Sequence, residues 1–313
     1  MKVLALAGGV GGAKLAAGLQ EVLVPGDLSV VVNTADDFEL WGLYICPDLD
    51  TVMYTLAGIA NPETGWGIFD ESFDALNMIE RYGEDTWFKL GDRDLATHIL
   101  RTDRLRAGET LTGVTAELSV ALGVGSSLLP MSEDPVSTVL ETPAGRLEFQ
   151  EYFVRRRQTD EVLGVGFRGI EDANPTGAVL AAISGADAIV LCPSNPVVSI
   201  GPILALPGVR EALSSALAPK VAVSPIVGGR ALKGPSDKML ASLGHEVSAM
   251  GVAAIYAGLV DGMVVDTVDE GERDGIEALG MHALATRSVM RDAAGRARLA
   301  TETLEFGAGM VAR

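Results

Sequence analysis

The chain has 313 residues, 48% of them hydrophobic, and a formal net charge of −18 from 42 acidic against 24 basic side chains. A chain of this length can bury a large core, as one extended α/β domain or two lobes, and its charge argues against a nucleic acid or an anionic membrane surface as partner, since both reward a basic face. Its two cysteines, Cys46 and Cys192, form neither a disulfide framework nor a metal spacing, which suits a reducing cytoplasm.

The first predicted element is the short apolar run "KVLALA", of strand length, and "AKLAAGLQEVL" behind it repeats its apolar residues at helical spacing. Between them "GGVGG" puts glycines at four of five positions, with Lys14 two residues later. A strand-to-helix turn so stripped of side chains either lets the elements pack tightly or clears space for an anion, phosphate above all, against the unpaired amides of the helix start. Gly9, Gly11, Gly12 and Lys14 are therefore candidate phosphate contacts. The spacing matches neither standard pattern: Lys14 stands where a dinucleotide fingerprint needs its third glycine, and no Gly-Lys-Ser/Thr follows. The apolar run before the glycines is too short for a signal peptide.

A second strand, "LSVVVN", leads into "TADDF", which places Asn33, Asp36 and Asp37 where a dinucleotide-binding fold carries its ribose-binding acid. Two adjacent aspartates exceed what a ribose needs; they suit a divalent cation, or an Asp-rich turn that caps the next element. In "PDLD", Asp48 after Pro47 reads as an N-cap or first-turn residue, which leaves Asp50 as the candidate metal ligand or base. From Trp41 to about Pro130 the pattern is mainly helical. Within it "KLGDRDLATHILR" offers Lys89 and Arg93 as cations for a phosphoryl group, beside a possible helix cap at Asp94 and an imidazole, His98, of the kind that usually sits satisfied in a core.

"VSTVLETPAGRLEFQEYFV" alternates around "PAG" and predicts an antiparallel hairpin at a sheet edge. Strand-like runs follow at "AIVLC", "KVAVSPIV" and "GMVVD". The loops "PSNP" and "SPIV" behind two of these offer Ser194, Asn195 and Ser224 as neutral donors and acceptors for a base or sugar, or simply as rigid proline-framed turns. Pro193, Pro196, Pro202 and Pro207 break the longest apolar stretch, so it predicts no membrane helix, and a soluble protein is expected. Alternating βα units predict an α/β fold: a doubly wound, mostly parallel, Rossmann-like sheet over residues 1–40 and 131–313, with a mainly helical insertion at 41–130.

The stretches "GGVGGAKLAAGL", "NTADDFELWGLYICPDLDTVMYTLAG", "GWGIFDESF", "KLGDRDLATHILR", "LPMSEDPVSTVLET", "PSNPVVSIGPIL" and "SPIVGG" together resemble the 2-phospholactate transferase family of coenzyme F420 biosynthesis, whose bacterial members are called phosphoenolpyruvate transferases. The resemblance runs over nearly the whole chain. It implies a cytoplasmic enzyme that joins a guanosine-diphosphate-linked phospho-acid to a hydroxyl of the deazaflavin Fo (7,8-didemethyl-8-hydroxy-5-deazariboflavin), releasing GMP with magnesium present. It carries the Fo contacts to Asp50 and Lys89, with Asp50 as the catalytic residue. The glycine loop, Asn33 to Asp37 and the "PSNP" loop would hold the guanosine diphosphate and the metal, with Asp36, Asp37 and Asp50 as ligands. The acid could be phospholactate, phosphoenolpyruvate or phosphoglycerate, and a homodimer is the expected assembly. Two other functions share the glycine loop or the fold: a nucleotide-sugar-binding regulator of the gluconeogenesis-factor type, and a nicotinamide-dependent oxidoreductase, against which the missing third glycine counts.

Overall fold

A computed structural model describes residues 1–311. In chain order, β1 (Val3–Ala7), α1 (Gly9–Val22) and β2 (Leu28–Val32) open the fold, followed by the hairpin β3 (Phe38–Leu40) and β4 (Leu43–Ile45). Four helices come next, α2 (Pro47–Leu56), α3 (Asp74–Arg81), α4 (Asp92–Arg106) and α5 (Leu111–Ala121), then β5 (Ser127–Pro130), β6 (Ser137–Thr142), β7 (Gly145–Glu148) and β8 (Gly164–Arg168). The remainder is α6 (Gly177–Ser184), β9 (Ala188–Leu191), α7 (Ile200–Ala205), α8 (Val209–Ser215), β10 (Lys220–Val223), the two-residue strands β11 (Ile226–Val227) and β12 (Arg230–Ala231), α9 (Ser236–Ser242), α10 (Ala249–Tyr256), β13 (Gly262–Asp266), α11 (Arg273–Ala278), β14 (His282–Thr286) and α12 (Ala293–Val311).

Seven strands form one sheet in the order β14-β13-β10-β9-β1-β2-β5, every pairing parallel. The central strands read as unbroken apolar runs because both faces are covered: all five residues of β1 and all four of β9 are buried. Strand periodicity divides them between two cores. Leu4 and Leu6 pack with Ile189, Leu191, Val252 and Met263 on one face, while Val3, Ala5 and Ala7 pack with Val190, Leu15, Leu19 and Leu299 on the other. The fold is thus the expected α/β, doubly wound arrangement. From β1 the chain builds outward through β2 and β5 on one side and β9, β10, β13 and β14 on the other. That reversal opens a crevice at the carboxyl ends of β1 and β9, where ligands of such sheets bind.

Two features differ from expectation. The hairpin around "PAG" forms as β6 and β7, with Gly145 at φ 112, but β8 joins it in a separate three-stranded sheet, so it does not edge the main one. The strands that do edge the main sheet, β5 and β14, have sequences too short or too weakly apolar to read as strands: "SLLP" and "HALAT". β5 lies inside the mainly helical stretch 41–130, which also carries β4 and α2–α5.

Candidate active site at the sheet switch point

The glycine-rich turn follows β1, and α1 starts at Gly9, whose φ of 59 favours glycine. The Gly8 amide donates to Ser194 Oγ at 3.1 Å, tying the turn to the loop behind β9 across the switch point. Packing sets much of the glycine content. A Cβ on Gly11 would lie 2.2 Å from the Pro193 carbonyl oxygen, one on Gly12 would lie 2.3 Å from Ser194 Oγ, and one on Gly8 would lie 2.5 Å from Asp48 Oδ2. For Gly11 and Gly12 this is the packing alternative: the missing side chains let the 193–194 turn lie on α1. Any role toward a ligand there falls to the backbone amides of the helix start.

Beside this turn lies a pocket of acid. Asn33, fully buried, donates through Nδ2 to Asp48 Oδ2 at 2.9 Å and to the Val198 carbonyl at 3.3 Å, and its Oδ1 accepts from the Ala35 amide at 3.0 Å. Asp36 Oδ1 and both carboxylate oxygens of Asp37 are buried with no hydrogen-bond partner among the described residues. Burial, then the Asp48 charge, pushes the Asp36 carboxyl well above the usual carboxylate range, and burial does the same to Asp37, with Asp50 and Asp48 adding to it. Asp48 itself is pushed up to about 6 by burial, against the opposing hydrogen bonds from Asn33 and the Gly9 amide. Polar oxygens are rarely left in this state, and a hard divalent cation is a group that would satisfy them.

Asp50 sits differently. Arg101, 1% exposed, donates through Nη1 to Asp50 Oδ2 at 3.0 Å and through Nη2 to Oδ1, and Nη1 also lies 3.3 Å from His98 Nδ1. If Nδ1 accepts from Arg101, the His98 ring proton is on Nε2, which faces Asp94 Oδ1 at 3.2 Å, off the line of a formed hydrogen bond. Tyr54 Oη completes the chain, donating to Asp94 Oδ1 at 2.7 Å. Among the described residues, Asp50, Asp94 and His98 are the one group of three acidic, thiol or imidazole side chains whose ligand atoms all lie within 4.8 Å of one another. The expected trio Asp36, Asp37 and Asp50 is not so gathered, and Arg101 engages both Asp50 oxygens. Helical spacing could have disclosed this network: Asp50 and Tyr54 share a face of α2, while Asp94, His98 and Arg101 share one of α4.

The expected cations lie apart. Lys89 is exposed and lines a cleft of about 250 Å³ with Trp66, Phe69, Glu71, Phe73 and Asp94, whereas Arg93 donates to the Phe69 carbonyl at 3.3 Å and borders a larger apolar hollow of about 550 Å³ with Tyr54, Phe69 and Leu118. Glu71, not Asp94, caps the start of α4, accepting from the Arg93 and Asp94 amides at 2.7 and 3.1 Å. Lys14 is half-buried in α1. Of the loop residues, Ser194 holds Gly8 as described. Asn195 instead spends Oδ1 on the Val197 and Val198 amides at 2.9 and 3.2 Å, and Ser224 spends Oγ on the Ile226 amide and carbonyl at 3.1 and 2.9 Å. For those two the rigid-turn alternative describes the bonds their side chains make within the protein.

A parallel doubly wound sheet with a glycine-rich turn and orphaned acids at its switch point defines an α/β, Rossmann-like protein with a candidate ligand site there. The comparisons narrow it. The family model described as 2-phospho-L-lactate transferase CofD matches residues 3–295. A phosphoenolpyruvate transferase of Streptomyces griseus is 47% identical over 98% of both chains, and a 2-phospho-L-lactate transferase of Methanosarcina mazei is 41% identical over 92% of this chain and 94% of its own. The chain belongs to the CofD family of coenzyme F420 biosynthesis, and it is a transferase. The crystal structure of a UPF0052 family member from Bacillus halodurans superposes with a TM-score of 0.67 over 97% of this chain and 98% of that one, at 17% identity, a likeness of fold. No helix among the described residues is long and apolar enough to cross a membrane.

Proposed function

We propose that the protein transfers a 2-phospholactyl or phosphoenolpyruvyl group from its guanosine-diphosphate-linked donor to a hydroxyl of Fo, giving F420-0 or its dehydro form and GMP. What carries the reading, within this family, is the set of unpartnered buried oxygens on Asp36 and Asp37 beside the first turn of α1. The Fo hydroxyl attacks the phosphorus bearing the acid, a P–O bond to Fo forms, and the anhydride P–O bond to GMP breaks with its electron pair on the GMP oxygen. Asp50 accepts the hydroxyl proton: each carboxylate oxygen has lone pairs beyond the one Arg101 uses, and the guanidinium fixes its direction. Lys89 contacts Fo from the cleft wall, and the α1 amides from Val10 to Gly12 face the diphosphate.

Magnesium would be held by Asp36 and Asp37, with Asp48 beside them, and would supply neutralisation of the diphosphate and of the leaving oxygen. The same reading includes small-molecule substrates only, a cytoplasmic location and a homodimer, the last checked by light scattering during size-exclusion chromatography. The deciding experiment incubates the protein with Fo, magnesium and each guanylated phospho-acid in turn, and weighs the products by mass spectrometry. A mass for F420-0 or its dehydro form, with one GMP per product, is expected. Absence of both with every donor sinks the reading.

A further inference from the structure

We propose that Lys14, Lys233 and Arg296 form one anion subsite along a face of α1, a clamp for the phosphate oxygens of the nucleotide donor. It rests on the proposed donor and assigns a site to two residues, Lys233 and Arg296, that stand far from the glycine turn in sequence.

The placement follows from one stripe of α1. Val10, Lys14 and Gly18 are spaced four apart and so share a helix face. At its start, a Cβ on Gly65 would meet Val10 Cγ1 at 2.7 Å and Lys233 Nζ at 3.5 Å, so the 61–67 loop and the Lys233 ammonium close over the first turn. Lys233 is pinned there by donating to the Glu63 and Thr64 carbonyls at 3.1 and 2.9 Å. Further along, Gly18 is where α12 lies directly on α1: a Cβ there would be 2.3 Å from the Arg296 carbonyl oxygen. Lys14 sits between these two contacts, half-buried, and burial followed by the charges of Lys233 and Arg296 lowers its pKa.

Two further cations close enough to lower the Lys14 pKa are an unusual arrangement in a chain of net charge −18. Among the described residues none of the three has a carboxylate within 4.0 Å, although acids outnumber bases 42 to 24. The two carbonyls on Lys233 carry only partial charge, and the remaining repulsion is relieved by an anion. Lys14 and the Lys233 ammonium lie along the first half of α1, which starts at the carboxyl end of β1, where the donor is expected. A diphosphate has the charge and the oxygens to engage all three.

Calorimetry on the full-length protein tests the clamp with three probes: GDP, inorganic pyrophosphate and guanosine. Lys233→Ala and Arg296→Ala should each weaken GDP and pyrophosphate about tenfold, the loss shrinking at high salt, with guanosine unchanged. Thermal melts alongside establish that the variants fold, and Lys233→Gln, which keeps a donor without charge, should lose nearly as much as the alanine. Folded variants that bind GDP within twofold of the parent overturn the clamp, as does a parallel loss of guanosine, or a parent that binds neither GDP nor pyrophosphate. A parent that binds GDP as expected but yields no product with Fo sustains the clamp and sinks the transfer reaction instead.

Discussion

Arg101 holds Asp50 through both terminal guanidinium nitrogens across 51 residues of sequence, joining α4 to α2 in a site where both side chains are almost wholly buried. Removing one partner of such a pair strands the other charge. Arg101→Ala should therefore cost about 3–5 kcal/mol of stability, read by chemical denaturation. Asp50→Asn is less neutral than its shape suggests, because it leaves Arg101 without its counter-charge. Its turnover should fall by more than its folded fraction, measured at a temperature where the variant is fully folded. Unchanged turnover in a folded Asp50→Asn variant would remove Asp50 from the chemistry.

Asp48 gives a pH prediction. A carboxyl whose folded pKa is about 6, against an ordinary 3.8, binds more protons folded than unfolded between those values. Stability from this group is then present at low pH and is lost as pH rises through 6. Two units correspond to about 3 kcal/mol. Asp48→Asn should raise the melting temperature of the metal-free protein at pH 7.5 and change it little at pH 4. A lower melting temperature at pH 7.5 contradicts this.

Asp37 tests the metal. Both its oxygens are buried without partners, so Asp37→Asn should stabilise the metal-free protein while losing the rise in melting temperature that magnesium confers on the parent. Equal magnesium stabilisation in parent and variant would place the ion elsewhere.

Gly11 separates packing from ligand contact. With Pro193 O 2.2 Å from its would-be Cβ, Gly11→Ala must displace the 193–194 turn and should cost about 1–3 kcal/mol through overpacking. Denaturant midpoints check this. A variant as stable as the parent would return the glycine to a purely ligand-facing role.

Lys89 is exposed, with no ion pair among the described residues. Lys89→Ala should leave the melting temperature within a degree or so and raise the Michaelis constant for Fo by roughly ten- to a hundredfold, the worth of one charge-assisted hydrogen bond. Steady-state kinetics with Fo varied decide it.

The sequence by itself determined the central strands of the sheet and the place to look. Runs such as "VLALA" and "AIVL" cannot be covered except between two layers, so their apolar continuity declares a parallel sheet, and the glycines between β1 and α1 mark its switch point. Asn33, Asp36 and Asp37 were legible for the same reason, since they stand at the end of the neighbouring strand. Only the tertiary structure decided which polar atoms are spent and which are left over. Ser224 and Asn195 close their own turns, Asp50 turns to Arg101, and Asp37 faces no partner, although all are equally polar letters in the chain. Hydrogen bonds and ion pairs depend on ångström distances between elements far apart in sequence, whereas burial depends on periodicity within one element. Local pattern therefore carries the fold, and the packing of α1, α2, α4 and α12 decides which charges meet.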